Sequence, residues 1–473
     1  MYRYYRLHKL YEGESPMNTP PITNVPQTTA YPGAWGVLTM LFLLNLLNFI
    51  DRTIPAVLLE DIRKAYDLND FWLGMLGTAF TLVYALCGLP LGRLADTWIR
   101  KYVLAGGATV WSGFTALSGM TSSFASFFAV RLGVGVGEAS CAPSAVSMIG
   151  DMFPPAKRGR AMGLFMLGLP LGILLSFIFV SQIRAMPLGP LHAFFGVEQW
   201  QLPFIIFALP GFLFAAIILL VREPKRGSQE AYVTSTQKVD KPFKKVLAIK
   251  TIWWISLSGV TVNMAAYGTN TFFKAMLERY YLIEPYQAGL MAATVLGLTG
   301  LVAMTLGAFV ADAAQKRSTN GRIKMAAYAL LIAAPLVFFA LRQAPGSDMK
   351  VFMLLYGSGW VLFYLYYVSV YTAVQDVVEP RLRASAMSVY FAAQYLLGAA
   401  FGTLIIGGLS DYFAQQALLA QNLSAMTEAI RGVGLHSAMF AVPVMLMLTG
   451  VTLLFAARTY LDDVEKVKIN AAT

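Results

Sequence analysis

Twelve long apolar stretches separated by short polar or basic turns dominate this chain, and a run of about 20 apolar residues is the length that crosses a bilayer as a helix. They fall at 34–59, 72–94, 101–120, 125–148, 159–182, 201–221, 250–277, 285–312, 323–341, 350–375, 384–410 and 436–458. Lipid offers a backbone no hydrogen-bond partners, so continuous apolar runs of this length must close their bonds internally as helices. Of the 473 residues, 57% are hydrophobic and 13% charged, where a soluble domain carries roughly a quarter charged. The expected fold class is therefore all-α integral membrane, with twelve transmembrane helices. The first run is too long for a secretory signal and lacks a small-residue cleavage site, so it is expected to stay in the mature protein. Ahead of it lies a polar tail with Pro, Thr and a second candidate start, Met17, which is expected to be disordered.

The net charge of +11 does not point to nucleic acid, because the basic residues sit in the turns between apolar runs. That is the signature of membrane topology. The basic turns include "IRKY", "PPAKRGRA" and "VREPKRGSQEAYVTSTQKVDKPFKKV", and placing them in the cytoplasm puts both termini there. The last of these has no hydrophobic periodicity and reads as a linker. The expected organisation is a cytoplasmic disordered tail (1–33), a six-helix bundle (34–221), a cytoplasmic linker (222–249), a second six-helix bundle (250–458) and a cytoplasmic tail (459–473).

Several function classes lose support. Cys87 and Cys141 lie inside apolar segments, which disfavours a disulfide framework or thiolate metal site. His8, His192 and His436 are scattered and none is mid-span, so no catalytic or metal constellation is expected and the chain is not expected to be an enzyme. No GxxxxGK loop supports ATP-driven work. No cofactor is expected, and the partners are the bilayer and a lipid or small-molecule substrate, with the protein a monomer.

The two halves resemble each other. "DMFPPAKRGRAM" from Asp151 aligns with "DVVEPRLRASAM" from Asp376, matching Pro155 with Pro380 and Arg158 with Arg383, and "LADTWIRK" aligns with "VADAAQKR", matching Asp96 with Asp312. Duplication of a six-helix unit is an architecture of secondary transporters, whose substrate site lies between the halves near mid-membrane.

"GRLADTWIRK" resembles the loop signature of the major facilitator superfamily between its second and third helices. Gly92, Asp96, Arg100 and Lys101 match it, while Thr97 and Ile99 depart from it. "RLGVGVGE" is similar to the superfamily's fourth-helix pattern of an arginine followed by spaced glycines. More narrowly, "NFIDRTIPAVLLEDIRKAYDLND" and "RLGVGVGEAS" resemble the Spinster branch. That resemblance implies two pseudo-symmetric six-helix bundles, a bacterial inner-membrane location, and proton-coupled movement of lysophospholipid or a related amphipathic lipid. A small organic anion or drug-like solute is the alternative cargo, and a non-transporting receptor a further one.

Charged side chains inside apolar helices are costly and usually face a cavity, pair, or mark an ion path. Arg131 and Glu138 are about 10.5 Å apart along one helix, too far for a direct bond, and Asp51 and Arg52 lie at similar depth on the first helix. Asp51 with Arg131 is the expected outer pair. Glu138, deeper and without an evident partner, is the expected proton carrier, because burial opposes its charge while Arg131 favours it. A salt bridge that only fixes helix packing is the other reading. Asp51 is the second proton-coupling candidate, and Arg52 and Arg131 complete the charge network.

Under the repeat, these positions correspond to Ala266, Tyr267, Tyr356 and Phe363, so ionisable chemistry is concentrated in the first half. The second half instead carries Trp360, Tyr364, Tyr367 and Tyr371 on one helical stripe and Asn263, Tyr267, Asn270 and Lys274 on another. Of these, Asn263, Tyr267, Asn270, Trp360, Tyr364 and Tyr367 are the expected substrate-cavity residues, suited to an apolar body with a polar head; helix packing is their alternative role. Asp96, Arg100, Lys101, Arg158 and Arg383 are the expected cytoplasmic gate. There Asp96 would meet the positive N-terminus of the eleventh helix, near Arg383, in the outward-open state. "GLPLG", from Gly168 to Gly172, could break the fifth helix.

Overall fold

The computed structural model describes residues 30–186, 196–226, 241–379 and 382–472. Residues 1–29 of the expected disordered tail and residues 227–240 of the central linker lie outside the described residues.

Twelve long helices carry the described residues. The first half holds α1 (Ala34–Val57), α2 (Asp70–Thr97), α3 (Arg100–Ser118), α4 (Phe124–Met152), α5 (Lys157–Ala185) and α6 (Leu202–Leu220). The second holds α7 (Lys250–Arg279), α8 (Pro285–Arg317), α9 (Gly321–Leu341), α10 (Met349–Asp376), α11 (Ser385–Ala420) and α12 (Glu428–Val467). Ten of them are long and apolar enough to cross a membrane; α3 and α7, richer in Gly, Ser and Thr, pack among these ten. The last helical segment continues to Ala472, so most of the expected C-terminal tail is helical.

Helix starts away from the linker are set by capping side chains. Asn69 accepts from the Trp72 N–H, Ser123 and Ser126 form a capping box, and Thr427 accepts from the Ile430 N–H. Each satisfies a backbone donor that has no partner within its helix. Five helices are irregular within their length, α12 among them with an interruption at Phe440. α4 is interrupted at 139–140, directly after Glu138, and α5 at Leu167, just ahead of the glycine-proline run that suggested a break. π-helical turns occupy Ala293–Leu298 in α8 and Ala393–Ala399 in α11.

The same helix pairings occur twice. α1 packs on α5 and α6, α3 on α4 and α6, and α2 on α4; six helices later, α7 packs on α11 and α12, α9 on α10 and α12, and α8 on α10. The sequence duplication is thus a duplication of packing. The halves meet through α2 against α11 and α5 against α8, a pair of contacts related by the same repeat.

Small residues set where these interfaces close. A Cβ on Gly74 would lie 2.5 Å from the Thr403 carbonyl oxygen, one on Gly407 2.2 Å from that of Asp70, and one on Gly297 2.6 Å from the Leu174 Cα. All three approaches lie in the half of the molecule remote from the linker. Toward the linker, Asp96 on α2 and Arg383 at the start of the eleventh helical segment are both exposed. The bundles therefore form a V, shut at the end remote from the linker.

Candidate functional site

Inside the V is a cavity of about 390 Å³, walled by both halves. All six cavity residues expected from the sequence line it: Asn263, Tyr267, Asn270, Trp360, Tyr364 and Tyr367. The spacing on α10 explains why, since residues three and four apart share a helix face. Trp360 stacks on Phe363 with centroids 4.6 Å apart, and Tyr367 meets Phe363 edge-to-face at 5.7 Å and Tyr371 at 5.8 Å. The Tyr364 hydroxyl donates to the Leu296 carbonyl at 2.7 Å, and the Asn263 amide to that of Gly259 at 2.9 Å. Lys274, which shares a stripe with Asn263, lies instead at the closed end, ion-paired with Glu278.

The opposite wall carries Arg52 and Arg131, and among the described residues no carboxylate lines the cavity. Arg52 donates to Glu138 Oε2 from Nη2 at 2.8 Å and from Nε at 3.1 Å. Its guanidinium lies 4.3 Å from the Tyr84 ring centroid and within 5.5 Å of those of Phe49 and Phe80. Asn48, one turn earlier on α1, accepts from Arg52 Nη2 at 3.4 Å. Glu138 and Asp51 have no exposed surface, whereas the Arg52 side chain keeps 13%.

This corrects the expected pairing. Glu138 is not solitary, and its ion-pair partner is Arg52. Asp51 does not form an ion pair with Arg131: its carboxylate takes a bond from the Thr115 hydroxyl at 3.4 Å, and Arg131 Nη2 reaches only its backbone carbonyl, at 3.5 Å. The reason is helical geometry, because successive residues on a helix point about 100° apart. Asp51 turns into the first bundle toward α3, and Arg52 turns to the cavity wall, where its long side chain reaches the carboxylate on α4. Two acids and two arginines still form one electrostatic cluster, in a region dry enough that each charge depends on the others.

Of the expected cytoplasmic gate, Arg100, Lys101 and Arg158 bond within the first bundle. With the end remote from the linker shut, Asp96 and Arg383 stand apart, and Arg383 Nε donates to the Gln375 carbonyl within its own bundle at 3.4 Å. Arg100 is fully buried, ion-paired with Asp151 and with Glu223 at 2.9 Å, and its Nη2 donates to the Pro224 carbonyl at 2.9 Å. Lys101 donates to the Leu219 and Val221 carbonyls at the end of α6, and Arg158 to that of Gly150 near the end of α4. Helix C-termini present carbonyls without partners and a partial negative charge, which cationic side chains satisfy. Arg100, Lys101 and Arg158 therefore clamp the first bundle together rather than bridge the two.

Sequence reasoning missed the strongest bridge. Arg279 at the end of α7 donates from Nη1 to both carboxylate oxygens of Asp70 at 2.8 Å and also pairs with Glu60. Arg63 pairs with Glu428 at 2.6 Å, and Asp411 accepts from the backbone N–H groups of Asp70 and Phe71, capping α2 from the opposite bundle. The polar turn "LLEDIRKAYDLND" and the lone acid in "LSDYF" were the available signals.

A profile of the Major Facilitator Superfamily matches residues 41–403. Protein spinster of Drosophila melanogaster is 25% identical over 427 residues, covering 87% of this chain and 68% of that protein. Protein spinster homolog 1 of Homo sapiens is 28% identical over 406 residues, covering 79% and 72%. An MFS-type efflux pump of Mycolicibacterium smegmatis is 25% identical over 389 residues, covering 80% and 85%. Among solved structures, a bacterial homolog of the human lysosomal transporter Spinster, inward-facing and unoccupied, superposes with a TM-score of 0.83 at 26% identity over 92% of this chain and 99% of that one. With one superfamily profile over most of its length and twelve duplicated helices around an inter-bundle cavity, this chain belongs to the Major Facilitator Superfamily, a multi-pass membrane transporter similar to the Spinster proteins.

Proposed function

We propose that the protein is a proton-coupled carrier working by alternating access, with lysophospholipid or a related amphipathic lipid as cargo. The observation that carries the reading is the Arg52–Glu138 ion pair at the cavity wall, with the guanidinium facing the cavity and the carboxylate buried behind it. Protonating Glu138 removes the counter-charge from Arg52 and leaves a cation facing the cavity, ready for an anionic head group. The aromatic wall opposite suits the apolar body. Asp51 is the secondary proton site, and Arg131 tunes both acids.

A small organic anion or drug-like solute is the second reading. It is favoured by a cavity lined by two arginines and, among the described residues, by no carboxylate. In either case the closed end is proposed to face outward, with both termini and the linker in the cytoplasm of a bacterial inner membrane. The protein is proposed to act as a monomer, with protons as the coupling ion. When the outer end opens, Asp96 and the helix start at Arg383 are proposed to approach and close the cytoplasmic mouth.

Counterflow in proteoliposomes tests the carrier reading. Vesicles preloaded with unlabelled lysophosphatidylglycerol should take up a labelled trace of it transiently against its gradient, and a preloaded aromatic carboxylate should do the same for the second reading. Binding of either compound without counterflow would make the protein a receptor and overturn both readings.

A further inference from the structure

The π-helical turn in α8, Ala293–Leu298, stands where the bundles touch, and it is tied to the cavity by one side chain. A π turn holds one residue more than the α-helix allows, and such turns recur at functional sites in otherwise regular helices. Here the Leu296 carbonyl accepts the Tyr364 hydroxyl at 2.7 Å, and both residues line the cavity. The next residue, Gly297, packs directly on α5: a Cβ there would lie 2.6 Å from the Leu174 Cα and 2.7 Å from its backbone N. One turn on, a Cβ at Gly300 would lie 2.8 Å from the Tyr364 ring and 3.0 Å from the Pro170 Cβ.

Converting the π turn to α would rotate the helix on one side of it by about 100°, the angle of one residue. Gly297 would leave the contact, and Leu296 or Leu298 would take its place. A leucine cannot occupy a gap that lacks room for a methyl group. The π form is therefore compatible with a closed outer end and the α form is not, which makes this turn a two-state element of the kind that can link distant sites.

We infer that the Tyr364 hydroxyl is a latch: bonded to the Leu296 carbonyl it holds the π turn and the outer end shut, and a ligand in the cavity that takes the hydroxyl releases both. Tyr364 is a positioning residue in this role, because it acts through α8. The inference rests on the alternating-access reading above, and it adds the element that senses occupancy.

The test uses nitroxide pairs at the exposed positions Ala185 and Gln287, at the outer ends of α5 and α8, in full-length protein in nanodiscs with Cys87 and Cys141 replaced. Electron-electron distance distributions are recorded with and without 14-carbon lysophosphatidylglycerol. In the otherwise unsubstituted protein the probe should raise the population at long distance. Tyr364→Phe, which loses one hydrogen bond, should raise that population about fivefold without the probe, and the probe should add little more. Gly297→Ala should act the same way, since alanine favours the helix while its methyl group opposes the closed contact. The thermal midpoint of Tyr364→Phe should stay near that of the parent, which separates a latch from a purely structural hydroxyl. If the parent shows two populations but neither variant shifts them, the latch is wrong and alternating access survives. A single distance under every condition would overturn both.

Discussion

Glu138→Gln, reconstituted in liposomes with a pH difference of one unit, is expected to lose gradient-driven accumulation of cargo while still exchanging it. A one-unit gradient stores about 1.4 kcal/mol per proton, which supports up to about tenfold accumulation with one coupled proton. The variant should fall from that level to none. Glutamine keeps the shape and an acceptor for the Arg52 guanidinium but cannot take up or release a proton. Exchange should persist because the second-half wall, from Asn263 to Tyr367, is untouched. Measuring accumulation and exchange on the same vesicles separates loss of coupling from loss of protein. Retention of the full gradient-driven level would move the proton site to Asp51, the other fully buried acid of the cluster.

Arg279→Met should shift the population of outer-open molecules by about a hundredfold to several thousandfold. Arg279 is the cation between two buried carboxylates of the opposite bundle, Asp70 and Glu60. Removing one partner of a buried pair costs about 3–5 kcal/mol because the charge left behind loses its counter-ion; here that charge is Asp70, since Glu60 keeps its pair with Arg63. That cost falls on the closed state alone, since opening lets water reach both acids. A cysteine at Thr271, which lines the cavity, should then react with a membrane-impermeant maleimide added from the outer side. Unchanged labelling would mean that the glycine contacts around Thr403 and Leu174 hold the outer end without help from the ion pairs.

The parts of this protein legible in its sequence are those governed by one helix at a time. Spans could be read from apolar runs because lipid imposes a length and forbids open backbone bonds. The six cavity residues could be read because α7 and α10 repeat polar and aromatic side chains at the spacing of one helix face. Pairing between helices could not be read in the same way. The adjacent residues Asp51 and Arg52 offered two assignments, and the rotation of α1 about its axis, which chooses between them, is set by packing against α5 and α6. Arg279 and Asp70 are far apart in the chain and each looks like an ordinary charge at a helix end. Arg100 and Lys101 sit in a loop motif that suggested a gate, yet the nearest helix ends with unsatisfied carbonyls belong to their own bundle.

Whether protons move with cargo tests the proposed coupling most directly. Proteoliposomes holding a trapped pH-sensitive dye, clamped at zero membrane potential and given an outward gradient of lysophosphatidylglycerol with no pH gradient imposed, provide the measurement. Coupling through the Arg52–Glu138 pair predicts a change in internal pH that follows cargo efflux, scales with it, and disappears in Glu138→Gln. Cargo efflux at the same rate in both proteins with no change in internal pH in either would contradict it.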